Sequence, residues 1–119
     1  MANAFITITN ITASSVTDFL ESADQGAQNL RFVKRPSRVT WAMDATAADC
    51  ELEIKSGERT IQERSRVDAS GTASQMPDLQ QKAQTFLAAA GEILAFRVRE
   101  TSGAGTTDLN LYIDVTPIR

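Results

Sequence analysis

Leu94-Ala95-Phe96-Arg97-Val98-Arg99 and, after the turn-forming Ser102-Gly103-Ala104-Gly105, Leu109-Asn110-Leu111-Tyr112-Ile113-Asp114-Val115-Thr116 each carry an apolar side chain at every second position. A period of two belongs to a strand with one face on a core and the other in water, because successive side chains leave a pleated backbone on opposite sides. Both runs read as strands, and the glycine-bearing link reads as the turn of an antiparallel pair. The same period recurs upstream. Arg38 to Met43 sends Val39, Trp41 and Met43 to one face and Thr40 and Ala42 to the other; Glu51 to Lys55 sends Leu52 and Ile54 inward and its charges outward. A second run, Glu58 to Val67, follows Ser56-Gly57, so a hairpin turning at Ser56-Gly57 is expected, glycine supplying the positive φ. At the start of the chain, Phe5 to Thr12 alternates isoleucine with threonine, β-branched residues that suit a pleated surface.

Other segments break this pattern. Ser15 stands three residues before Asp18, and Val16, Phe19, Leu20 and Ala23 recur at helical spacing, which predicts a short helix ending before Gly26. Leu30 to Lys34 reads as a brief strand stopped by Pro36, which lacks an amide hydrogen. Asp68 to Pro77 is polar and turn-rich, hence a loop. Asp78 to Ala90 supports two readings. Leu79, Ala83, Phe86, Leu87 and Ala90 keep helical spacing, with Asp78 and Gln81 as a capping box and Gly91 as the C-terminal cap, which favours a helix; tertiary context can instead draw Thr85 to Ala88 into a strand.

With strands in the majority and helices too few to cover both faces of a parallel sheet, the chain is expected to be mainly β. The architecture expected is an antiparallel β-sandwich with one or two short helices, a single jelly roll being one form it can take. Residues 1–119 read as one domain with an N-terminal arm over about 1–12. The expected core is the apolar phase of the strands: Ile6, Ile8, Val39, Trp41, Leu52, Ile54, Leu94, Phe96, Val98, Leu109, Leu111, Ile113 and Val115.

Composition narrows the chemistry. With 42% apolar and 23% charged residues the chain is an ordinary globular one. There is no histidine and a single cysteine, Cys50, so no disulfide within the chain and no soft-metal ligand set is expected, and the usual proton-transfer group is missing. The expectation is a non-enzyme without metal or cofactor. No apolar stretch is long enough for a transmembrane segment, and Met1 to Phe5 lacks the basic and apolar regions of a secretory signal, so synthesis in the cytoplasm is expected.

A net charge of −3 conceals a segregation. Arg31, Lys34, Arg35 and Arg38 stand together without an acid, while residues 44–58 hold Asp44, Asp49, Glu51, Glu53 and Glu58 against Lys55 alone. Three readings of the basic cluster stand side by side. Its charges can be a solvated edge that discourages aggregation, with Phe32 and Trp41 in the core; they can meet the acidic segment of a neighbouring copy; or they can contact nucleic acid phosphates, with the aromatics stacking on bases. Arg59, Arg64 and Arg66 with Glu58 and Glu63 read as a charged run along an exposed strand, with cross-strand pairs of Glu51 or Glu53 with Arg59 or Arg64 expected. The carboxylates lack the spacing of a calcium loop, and the glycine loops lack the lysine and the spacing of a phosphate cradle. Acidic neighbours make Cys50 a quiet, buried or half-buried thiol.

The N-terminal arm, the run Ala88-Ala89-Ala90-Gly91-Glu92-Ile93-Leu94-Ala95-Phe96-Arg97-Val98-Arg99, the turn Thr101 to Gly105 and the closing Asp114-Val115-Thr116-Pro117-Ile118 together resemble small β-sandwich virion proteins of bacterial viruses. That resemblance implies a jelly-roll-like capsid or virion-surface subunit that assembles with copies of itself, and with other virion proteins, without cofactor. It carries no residue roles by position. The alternative class is a β-sandwich binding module for a carbohydrate or protein ligand. For sugar stacking, Tyr112 alone falls on an outward phase, Trp41 being on the apolar one.

Overall fold

Alternation becomes structure in eight strands: β1 (Ala2–Ile8), β2 (Val16–Asp18), β3 (Ser37–Ala45), β4 (Cys50–Ser56), β5 (Arg59–Arg66), β6 (Gln84–Ala88), β7 (Leu94–Glu100) and β8 (Leu109–Pro117). A one-turn helix, α1 (Leu79–Lys82), precedes β6, and a 3-10 turn spans Asn29–Arg31. The computed structural model describes residues 2–8, 16–18, 29–46, 50–67, 69, 71, 75–101 and 107–118. Two four-stranded antiparallel sheets result, in the orders β1-β8-β3-β6 and β2-β7-β4-β5.

The pairings nest. β1 pairs with β8, β2 with β7, β3 with β6 and β4 with β5, which is one long antiparallel ribbon closed at the β4–β5 hairpin. Rolling that ribbon adds β3 to β8 and β4 to β7. The fold is a β-sandwich with the strand order of a single jelly roll.

Parity explains the core. β4 and β7 run with buried residues at alternate positions, so Leu52, Ile54, Leu94, Phe96 and Val98 face inward. The opposite sheet supplies Val39, Trp41, Met43, Leu109, Leu111 and Ile113. Trp41 meets the edge of Phe96 with ring centroids 5.8 Å apart, and Phe86 lies against the same ring at 6.5 Å. Every expected core residue whose side chain is described is buried, except Val115, which is partly buried against the cluster. The side chains of Ile6 and Ile8 lie outside the described residues. Cys50 is buried.

Several expectations are corrected. The helix read from Ser15 does not begin there, because Val16–Asp18 forms β2 on Arg97–Arg99 of β7, and the ladder outweighs a helical pattern in Val and Thr; the rest of that segment lies outside the described residues. The strand read at Leu30–Lys34 reduces to the 3-10 turn and a single bridge from Phe32 to Ile93. The helix read over Asp78 to Ala90 stops after one turn. Asp78 does cap it, accepting from the Gln80 amide at 3.0 Å, but Ala83 turns extended and Gln84–Ala88 takes the edge of β3. Gly91, at φ 86°, is then a turn residue, not a helix cap. The hairpin turns at Gly57-Glu58, one residue later than read, with Ser56 opposite Arg59. Gly57 has φ 62°, and a Cβ there would crowd the Glu92 carboxylate.

The largest correction concerns β7 and β8, which are not partners. They lie in different sheets and face each other across the core. Alternation reports the face a strand buries and says nothing of its lateral neighbour.

Truncation of Phe96 removes the ring that bridges the sheets. Phe96→Ala should lower unfolding free energy by about 3–5 kcal/mol in urea titration, as for buried aromatics generally. A loss below about 1 kcal/mol would mean that the sheets are not held together through this ring.

Candidate interaction surface at one end of the sandwich

The four basic residues singled out in the sequence all fall at one end of the sandwich, where segment 31–36, the Gly57-Glu58 turn, loop 89–93 and the end of β8 meet. Backbone hydrogen bonds stitch these segments together. Val33 N–H donates to Glu92 O (3.1 Å), Gly91 N–H to Val33 O (2.7 Å), Gly57 N–H to Ile93 O (3.0 Å) and Ile118 N–H to Pro36 O (2.8 Å). Buried Leu30 and Val33 pin segment 31–36 to the core.

Glu92 is the electrostatic knot of this end. Its carboxylate accepts from Arg59 Nη2 (2.6 Å) and Nε (2.9 Å), from the Ala89 amide (2.6 Å) and from the Ser56 hydroxyl (2.9 Å). Arg59 and then the Ala89 amide pull its pKa down to about 2, because each stabilises the charged form. Arg59 also donates to Leu87 O (2.9 Å), so it ties the edge of β6 to the β4–β5 hairpin. Nothing in the sequence flagged Glu92; its role depends on a meeting of segments far apart in the chain.

With Glu92 committed, the surface is dominated by cations and apolar side chains. Lys34, Arg35 and Arg38 are exposed, and the half-buried Arg31 lays its guanidinium over the Phe32 ring at 4.7 Å. Glu58, at the hairpin tip, is the other described acid at this end. Among the described residues six large apolar side chains are exposed, and four are here: Phe32 (45%), Leu87 (60%), Ile93 (49%) and Ile118 (47%). Phe32 and Ile93 are bridged neighbours, and Leu87 sits opposite Arg38 in register. The sequence did hold a signal for two of them: Ile93 and Leu87 stand next to inward Leu94 and Phe86, and so off the apolar phase.

The acidic segment does not form a matching patch. Asp44 is buried at the far end, accepting from Lys82 Nζ (3.2 Å) and Asn110 Nδ2 (2.9 Å). Glu53 lies 3.8 Å from Arg97, and Glu51 is flanked in register by Arg66 and Arg99. The cross-strand partners expected for Glu51 and Glu53, Arg59 and Arg64, are therefore replaced: Arg59 belongs to Glu92, and bulges in β5 shift the ladder around Ile54. Asp49 lies outside the described residues. Among the described residues no group of three or more acidic, cysteine or histidine side chains is placed to hold a metal ion, and no helix is long and apolar enough to cross a membrane.

No family model, no curated protein and no solved structure matches the chain.

The depressed pKa of Glu92 gives a pH signature. Its folded pKa lies below the ordinary 4.5, so its contribution is complete above 4.5 and fades as pH falls towards 2. Thermal unfolding should show a midpoint that drops over that window in the parent, and a lower, flatter profile in Glu92→Gln. An unchanged midpoint in the variant at neutral pH would remove Glu92 as the tie between these loops.

Proposed function

We propose that the chain is a non-enzymatic structural subunit that assembles with copies of itself, of the capsid or virion-surface type, made in the cytoplasm and carried in the particle. The observation that supports this reading is the end surface: Lys34, Arg35 and Arg38 interleaved with exposed Phe32, Leu87, Ile93 and Ile118. Clustered exposed apolar side chains rimmed by charge are the mark of a docking surface more than of a monomer's skin. The jelly roll adds support at the level of fold analogy, since capsid domains use it, as do lectins and enzymes.

The neighbour's acidic segment is a poor counterpart, because Asp44, Glu51 and Glu53 are engaged or flanked within their own chain. The contact therefore rests on apolar burial, with the cations setting orientation and encounter rate. Light scattering and negative-stain microscopy of the purified protein test it. Large particles of many copies are the expected result, disrupted by Leu87→Asp with Ile93→Asp and weakened by Arg35→Glu with Arg38→Glu most strongly below about 0.1 M salt, where screening is slight. A monomer at all concentrations and salts would overturn the proposal. Particles that form normally from the arginine pair variant but lose bound nucleic acid would assign the cations to phosphate contact instead.

A further inference from the structure

A second surface lies on the outer face of the sheet β1-β8-β3-β6. Parity sends Tyr112, Asp114 and Thr116 of β8 outward, since Leu111 and Ile113 between and beside them are buried. Register carries the same face across the other strands: Phe5 of β1 stands opposite Tyr112, Thr40 of β3 opposite Asp114, and Thr85 of β6 opposite Thr40. Two rows result, about 7 Å apart along the strands. One is aromatic, Phe5 beside Tyr112; the other is polar, with Asp114, Thr40 and Thr85. Phe5 is 39% exposed, where a phenylalanine on a sheet is normally turned to a core. Tyr112 is half-buried, and its hydroxyl lies 3.5 Å from the Asp114 carboxylate two residues on, so the ring leans along β8 toward the polar row. By alternation alone Tyr112 is the one ring available for stacking; register adds Phe5.

We propose that this face binds a neutral, extended oligosaccharide laid along the aromatic row. The C–H face of a pyranose is apolar and carries slightly positive hydrogens, which the negative face of an aromatic ring attracts. The sugar's hydroxyls need acceptors and donors at its edge, and the polar row supplies both. Asp114 accepts from the Thr116 hydroxyl at 2.8 Å and from Tyr112, and among the described residues it meets no cation. An ionised carboxylate has about four lone-pair sites, so places remain for ligand hydroxyls. Thr40 and Thr85 share one hydrogen bond at 3.3 Å and keep further capacity between them. Charge selects a neutral ligand. Among the described residues of this face Asp44 and Lys82 pair with each other, which leaves Asp114 and Arg38, one of each sign. The side chains stand on a continuous sheet, so the site is a platform that suits a flat chain such as β-1,4-linked glucose; a coiled α-1,4-linked chain meets it at fewer sugars.

The test uses the full chain and a reporter inside the site, since Tyr112 is the one tyrosine of the sequence. Cellohexaose is the probe and maltohexaose the coiled comparator, each followed by tyrosine ultraviolet difference absorption and by calorimetry. Expected is a saturable tyrosine signal with cellohexaose, and binding of maltohexaose weaker by about tenfold. Phe5→Ala should weaken cellohexaose by about tenfold through loss of one stacked ring, and Asp114→Ala by about as much through loss of a charged acceptor. Leu87→Asp with Ile93→Asp, which alters the end surface, should leave sugar binding unchanged. Circular dichroism establishes that each variant is folded. The proposal is overturned if cellohexaose gives no saturable change in either the assembled or the dissociated protein, if Phe5→Ala binds it as well as the parent, or if maltohexaose binds as tightly. It is independent of self-assembly, which is read by particle mass and not by Tyr112.

Discussion

Phe96 lies where the two sheets meet, its ring against Trp41 and Phe86 of the opposite sheet. That contact expresses the constraint on which the rest depends: each sheet must offer a single apolar parity to the same layer. Once Leu52, Ile54, Leu94, Phe96 and Val98 point inward from one side, a shift of one residue in any strand would expose its whole apolar set. Register is therefore strongly specified along β3, β4, β7 and β8. It relaxes only at the rim, where β5 bulges and β6 is short. The surface to which assembly is assigned by proposal occurs at a place released from the parity rule, among the end loops.

The parity itself was legible in the sequence. Val39, Trp41, Leu52, Ile54, Leu94, Phe96, Val98, Leu109, Leu111 and Ile113 were all readable as core from alternation alone, and all are buried. Lateral order was not legible. Leu94 to Val98 and Leu109 to Val115 look like hairpin partners, yet they are separated by the core, because a strand's alternation is identical whether its neighbour lies beside it or across from it. Residues 78–90 show a different limit. The Asp78 cap and the spacing of Leu79, Ala83, Phe86 and Leu87 are locally helical, and only the open edge of β3 decides for a strand from Gln84 onward.

For the candidate surface, composition identified the cations and missed what surrounds them. Arg31, Lys34, Arg35 and Arg38 were visible as a cluster, but their setting of exposed Phe32, Leu87, Ile93 and Ile118 comes from segments as distant as residues 32 and 118. Of the acidic segment read as a counterweight, Glu51 and Glu53 lie on β4 beside arginines of β5 and β7, Asp44 is buried at the end of β3 and Glu58 stands in the hairpin turn. Charge segregation in a sequence becomes a patch only if the strands carrying it end together.

The nesting of the strand pairs also sets a timetable. β8 is an interior strand, hydrogen-bonded to both β1 and β3, so neither the opening strand nor the first long one can complete its ladder before the last has been made. Among the described strands only β4 with β5 is a local pairing; every other partnership there closes a long loop, and such topologies fold slowly because chain entropy is lost before contacts repay it. While the chain waits, the unpaired edges of β1 and β3 are templates for the wrong neighbour. The end surface to which assembly is assigned by proposal is therefore completed late and all at once, with the docking of β8: the segment that completes the sheet also seats Ile118 against Pro36, so a chain that has not finished folding cannot present that surface whole.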